Sequence, residues 1–127
     1  GEALLSECLK TLNKGGVNEK QISIFKVTGA LEIPLVAKKI AKTKRYDAII
    51  VFGVVLKGKT YHFEQVSDEC ARGCMQVAYD YEIPVIFQVL SVYKEADAVA
   101  RTKGTKDNRG IEAGKTALEM IEVMKKL

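Results

Sequence analysis

The single histidine of this chain, His62, follows the stretch Gly53-Val54-Val55-Leu56-Lys57-Gly58-Lys59-Thr60-Tyr61, where a continuous apolar run gives way to a glycine and two lysines. An imidazole has an unperturbed pKa of about 6.5, so it takes and returns protons near neutral pH. Gly58 lets a ligand approach the backbone closely, Lys57 and Lys59 bring positive charge, and Thr60 offers a hydroxyl. A helix beginning just beyond them adds amides that favour anions. These residue types in this order fit a phosphate-bearing ligand held beside a general acid/base. The competing reading is a histidine at a helix start whose ring is satisfied by backbone groups.

Four other features invite the same weighing. Arg101 carries a guanidinium able to grip phosphate with two parallel bonds, or it is a solvated arginine at a helix end. Glu32, between Gly29 and Pro34, either joins the site or only complements the dipole of a first helical turn. Phe87 falls within an apolar run, where core packing is the ordinary role of an aromatic ring. Cys70 and Cys74 lie one helical turn apart, but no second Cys/His pair completes the four ligands of a zinc site. They read as buried thiols, and no metal is expected.

The elements that must position these residues follow from periodicity. Leu4, Leu5, Cys8, Leu9 and Leu12 recur at helical spacing ahead of Gly15-Gly16, which ends a first helix. Ile22-Ser23-Ile24-Phe25-Lys26-Val27 reads as a short strand stopped by Thr28-Gly29. Glu32-Ile33-Pro34 opens a helix to about Lys42, with Ile33, Val36, Ala37, Ile40 and Ala41 on one stripe. Ala48-Ile49-Ile50-Val51-Phe52 is continuously apolar, as a parallel strand covered on both faces must be, and the strand is expected to end near Val54 or Val55. A helix from about His62 to Tyr79 buries Phe63, Val66, Cys70, Cys74, Val77 and Ala78; Pro84 to Leu90 makes the next strand. A short helix over Glu95 to Arg101, a polar loop over Lys103 to Arg109 and an amphipathic helix from Gly110 to Leu127 complete the chain. Strands alternating with helices imply a parallel sheet of three strands, and ligands of such sheets bind beyond the strands' carboxyl ends. Three strands are few for this many helices, so one strand is expected to be missing, because a doubly wound domain starts with a strand for its first helix to cover.

With 127 residues, 47% of them hydrophobic, the chain suits one domain, 1–127, with a real core. Its net charge of +4 is spread along the sequence without aromatic-interleaved basic clusters, so no nucleic-acid partner is expected. No run approaches the roughly 18 apolar residues of a membrane span, and Gly1-Glu2-Ala3 opens no secretory signal, so no membrane partner is expected. Three cysteines fit a reducing compartment, and a cytoplasmic location is expected. A receiver-type phosphate module would need clustered acids at a strand end, and Asp47 stands alone at a strand start.

Three segments carry a family resemblance: Thr28-Gly29-Ala30-Leu31-Glu32-Ile33-Pro34, the stretch from Gly53 to Glu64, and Asn108-Arg109-Gly110-Ile111-Glu112-Ala113 ahead of Ala117-Leu118-Glu119-Met120. Taken together and at this spacing they resemble the signature segments of 6,7-dimethyl-8-ribityllumazine synthase, over essentially the whole chain. The resemblance implies a flavodoxin-like, three-layer α/β/α domain with a parallel sheet. It implies a transferase of riboflavin biosynthesis that condenses 5-amino-6-ribitylamino-pyrimidinedione with 3,4-dihydroxy-2-butanone 4-phosphate, releasing phosphate and water without cofactor or metal. His62 matches the family's proton shuttle, and Arg101 its phosphate ligand together with Gly58, Lys59 and Thr60. Ala30, Leu31 and Glu32, with Val54, Val55 and Leu56, match the segments around the pyrimidine and ribityl chain. Phe87, Arg101 and Arg109 match positions that reach the pocket from an adjacent subunit of a homopentamer, alone or built into decamers or 60-subunit shells.

The chain also departs from the family's pattern. Leu31 stands where an aromatic is frequent, Lys59 where a small residue is, and Arg109 where lysine is usual; Thr102-Lys103-Gly104-Thr105-Lys106 is shifted by one residue. The family's first strand, with an aromatic that stacks on the pyrimidine, has no counterpart. That absence keeps open an alternative, a non-catalytic cage-forming or scaffold homologue.

Overall fold

The computed structural model describes residues 2–56, 62–92 and 108–127. Helix α1 (Glu2–Lys14) buries Leu4, Cys8 and Leu12, which its four-residue spacing puts on one face. It stops at Gly15-Gly16: the Gly15 N–H donates back to the Thr11 and Leu12 carbonyls, and Gly16 sits at φ +97°, open to glycine and strained for other residues. Helix α2 (Ile33–Lys42) starts at the expected residue, with Glu32 at its N-cap position and Pro34 in the first turn. Strands β1 (Ile49–Leu56) and β2 (Val85–Val92) pair in parallel, from Ile49 opposite Val85 to Leu56 opposite Val92, and helix α3 (His62–Tyr81) lies between them in sequence. Helix α4 (Arg109–Lys126) ends the chain, with Lys125 and Lys126 in its last turn.

Each strand's side chains alternate between two cores. Ile49, Val51 and Val89 join Ile33, Ala37 and Ala41 of α2 and Cys70, Cys74 and Val77 of α3 on one face. On the other, Ile86, flanked by Ile50 and Phe52, joins Cys8 and Leu12 of α1 and Ala113 and Ala117 of α4. The sheet is therefore the middle of three layers, which explains why β1 is apolar throughout. Within the outer layer α1 and α4 run parallel and close: a Cβ at Gly110 would strike the Leu4 carbonyl oxygen, and one at Gly114 would come within 2.9 Å of the Thr11 side chain.

The expected strand at Ile22 to Val27 is corrected by the structure. The segment is extended but belongs to no ladder, and Ile24 and Phe25 are 52% and 56% exposed. Strand propensity expresses fit to a pleated surface beside a partner, and here the facing edge of β1 lies across a cavity of ≈ 1030 Å³. Among the described residues the sheet thus has two strands rather than three. β1 ends at Leu56, next to its expected end, and Gly53 packs within the sheet against Val89 and Ile33. The helix expected over Glu95 to Arg101 lies outside the described residues.

All three cysteines are free and buried, in line with the reading of Cys70 and Cys74 as core thiols. Burial pushes the Cys8 thiol up to about 11 and Cys74 to about 12, with the neighbouring Cys70 sulfur adding to the latter. The thiols are neutral at pH 7, and their folded-state values exceed those of the unfolded chain. Above the unfolded pKa the unfolded state therefore binds fewer protons, and stability falls as pH rises. Unfolding free energies from urea titrations at pH 9 to 11 should fall, by about 1.4 kcal/mol per pH unit for each such thiol, and Cys8→Ala should flatten the fall. A slope indifferent to that substitution would show that Cys8 is not held in its neutral form.

Candidate active site

Some of the sequence's candidate residues lie on elements that meet at the carboxyl half of β1. After residues 22–27 the chain turns at Thr28-Gly29 into a 3-10 turn, Ala30–Glu32, which contacts both β1 and α3. Ala30 is half-buried against the core on the α2/α3 face, whereas Leu31 and Glu32 are exposed. The Thr28 hydroxyl donates to Glu32 Oε1 at 3.2 Å, and a Cβ on Gly29 would sit 2.9 Å from that oxygen. Gly29 therefore lets the carboxylate fold back over the turn, and Thr28 holds it there.

His62 is the first residue of α3, and its side chain is exposed. Glu64 follows in the same turn, where a carboxylate suits the helix's positive end. Val54, Val55 and Leu56 form the last three residues of β1, facing Leu90, Ser91 and Val92 in register; Val55 is half-buried against the α2/α3 core. Lys57, Gly58, Lys59, Thr60 and Arg101 lie outside the described residues.

Phe87 and Arg109 stand apart from the lip of the sheet at its carboxyl end. Phe87 pairs with Val51 and packs half-buried on the α2/α3 core, five residues before β2 ends at Val92. At about 3.3 Å per residue it is roughly 17 Å short of its own chain's lip. Arg109 opens α4, in the layer on the opposite face of the sheet, and its Nη1 meets Glu112 Oε2 at 3.0 Å. The structure thus brings Ala30 and Val55 onto one core face, puts Leu31, Glu32 and His62 on exposed turns, and keeps Phe87 and Arg109 elsewhere.

Two contributors were missed at the level of residue pattern. Asn108 is buried and caps α4, its Oδ1 accepting from the Gly110 and Ile111 N–H groups at 2.9 and 3.1 Å, and so fixes where Arg109 starts. An asparagine directly before an apolar-periodic run was the signal. Thr28 gave none, because its hydrogen bond depends on the Gly29 turn. Among the described residues no three His, Cys, Asp or Glu side chains are placed to hold a metal ion.

Comparison with known proteins supplies independent findings. The family model described as 6,7-dimethyl-8-ribityllumazine synthase matches residues 1–125. A protein of that name from Ruthia magnifica subsp. Calyptogena magnifica is 42% identical over 132 residues, covering 100% of this chain and 79% of the relative. Another of the same name, from Coxiella burnetii strain CbuG_Q212, is 41% identical over 126 residues, covering 99% of this chain and 83% of the relative. The protein from Coxiella burnetii strain RSA 493 / Nine Mile phase I matches with the same figures.

Proposed function

The chain belongs to the 6,7-dimethyl-8-ribityllumazine synthase family, the riboflavin-pathway enzyme, and from this we propose that it condenses 5-amino-6-ribitylamino-pyrimidinedione with 3,4-dihydroxy-2-butanone 4-phosphate, releasing phosphate and water. The observation that carries the proposal is the match over nearly the whole chain, together with the start of α3 at His62 just beyond the lip of β1. The chemistry asks for proton transfers as the amine attacks the ketone, as water leaves and as phosphate is lost. An exposed imidazole at a helix start serves that need, accepting a proton at one step and returning it at the next. Ala30, Leu31 and Glu32 with Val54, Val55 and Leu56 form the wall around the pyrimidine and ribityl chain. Lys59, Thr60 and Arg101 hold the phosphate. No cofactor or metal takes part in this scheme.

The pocket is completed by a neighbouring copy in a homopentamer, alone or built into a decamer or 60-subunit shell. Phe87, about 17 Å from its own lip, and Arg109, on the opposite layer, suit service in another subunit's pocket. The α2/α3 layer also exposes Leu35 at 73% and Tyr79 at 72%, apolar surface of the kind that subunit contacts cover. No helix among the described residues is long and apolar enough to cross a membrane. A cytoplasmic location agrees with three free thiols.

Arg101 provides the test of the shared site. Arg101→Ala should raise KM for the phosphorylated ketone at least tenfold while leaving KM for the pyrimidine nearly unchanged, through loss of a charge-assisted bond of about 1.5–3 kcal/mol. Mixing Arg101→Ala with His62→Ala subunits should restore part of the activity, since some interfaces regain both residues. Equal weakening for both substrates, or no recovery on mixing, would contradict a site shared between neighbours.

A further inference from the structure

The turn before α2 is arranged around one carboxylate, that of Glu32, and the catalytic scheme gives two of its residues, Thr28 and Gly29, no role. Glu32 occupies the N-cap position of α2, yet its side chain makes no capping hydrogen bond to the helix. The carboxylate turns back along the chain instead, where Oε1 accepts from the Thr28 hydroxyl at 3.2 Å. Gly29 makes room for this, since a Cβ there would stand 2.9 Å from Oε1. The backbone itself does not require a glycine: its φ of −167° is extended and open to any residue. The space beside the carboxylate is what the missing Cβ provides.

Thr28 and Glu32 are both exposed, so the hydrogen bond between them adds little to the stability of the fold. Its effect is to confine a long side chain. A glutamate gives up much rotamer freedom when it is fixed, and a carboxylate confined beforehand binds a ligand with that loss avoided. Among the described residues Oε1 takes the Thr28 hydrogen bond and Oε2 takes none, so a second donor can be received. The charge selects which substrate supplies it. An ionised carboxylate only accepts hydrogen bonds, and it repels phosphate. The phosphorylated ketone is therefore a poor partner, whereas the ribityl hydroxyls and ring N–H groups of the pyrimidine are donors. The turn contacts β1 and α3, the elements that carry Val54 to Leu56 and His62.

We propose that Thr28 is a positioning residue for the pyrimidine substrate: its hydroxyl, with the space left by Gly29, holds the Glu32 carboxylate in the direction that receives a donor of that substrate. This rests on the reading of Glu32 as part of the wall around the pyrimidine and ribityl chain. It goes beyond that reading, because Thr28 acts through Glu32 and not on the substrate.

Calorimetric titration of the whole protein with 5-amino-6-ribitylamino-pyrimidinedione alone tests this without requiring turnover. Two substitutions disturb the carboxylate by independent means: Thr28→Val removes the hydroxyl at nearly constant shape, and Gly29→Ala puts a methyl group beside Oε1. Each should raise Kd for the pyrimidine by roughly three- to tenfold, leaving Kd for the phosphorylated ketone and Tm unchanged. Thr28→Ser, which keeps the hydroxyl, should bind the pyrimidine as the parent does. In a Glu32→Ala background neither substitution should weaken binding further, because residues that act through one group are not additive. Additive losses in that background, equal weakening for both ligands, no rescue by serine, or a fall in Tm accompanying the weaker binding would overturn the proposal and make Thr28 purely structural. Weaker binding by Glu32→Ala but not by Thr28→Val would overturn the positioning role alone. A Glu32→Ala protein that binds the pyrimidine as the parent does would overturn the reading of Glu32 as part of the wall, and the proposal with it.

Discussion

His62→Ala slows lumazine formation by about a hundredfold or more while leaving the assembly and its Tm unchanged. General acid/base groups contribute roughly 10²- to 10⁴-fold, and the low end applies here because holding amine and ketone together already removes much of the barrier. The side chain is exposed on the first turn of α3, so its truncation opens no cavity in either core. His62→Ala should also lower kcat more than it raises KM for either substrate, because a proton shuttle acts in the transition states rather than in ground-state binding. Steady-state kinetics alongside thermal melts checks this. An unchanged kcat would return His62 to the role of a helix-start residue, and a fall in Tm matching the fall in rate would make it structural.

Gly110→Val destabilises the fold by about 3 kcal/mol or more, a large share of a typical total of about 5–15 kcal/mol. The reason is a backbone contact: any Cβ at this position strikes the Leu4 carbonyl of α1, which has no rotamer to move aside. The sign is diagnostic. In an exposed helix interior glycine is worse than alanine by about 1 kcal/mol, so Gly110→Ala would stabilise if α1 and α4 were apart. Both substitutions should instead lower the urea midpoint, valine by about 1.5 M at an m-value near 2 kcal/mol/M. Gly114→Ala should be milder, because its nearest contacts, Thr11 Cβ and Cγ2 at 2.9 Å and the Cys8 carbonyl oxygen at 3.2 Å, are less close than the Leu4 carbonyl is to Gly110. A raised midpoint for Gly110→Ala would contradict the close packing of these helices.

These two residues illustrate what was legible in the sequence. The 3.6-residue stripes of α1, α2 and α3 announced their buried faces, and Ile33, Ala37, Cys70, Cys74 and Val77 are all in the core. The uninterrupted apolar run of β1 announced a strand covered on both sides, and the two cores on its faces account for it. Ile22 to Val27 misled because its composition reports local preference, while a strand exists only with a partner at ladder distance. The spacing of Gly110 and Gly114 is visible in sequence, but that both press on α1 is not, since contact between helices far apart in the chain leaves no local mark. For the candidate site, the start of α3 at His62 was legible in the sequence, whereas the opposite-layer position of Arg109 required the fold.

The central claim is that this chain catalyses the condensation, and the direct measurement is turnover of both substrates together. Lumazine absorbance and inorganic phosphate are followed in parallel, with and without the protein. The account predicts one phosphate per lumazine, formed at a rate that is proportional to protein and saturates in each substrate. A folded, assembled protein that releases phosphate no faster than the uncatalysed mixture would contradict it, and would identify the chain as a cage-forming or scaffold member of the family.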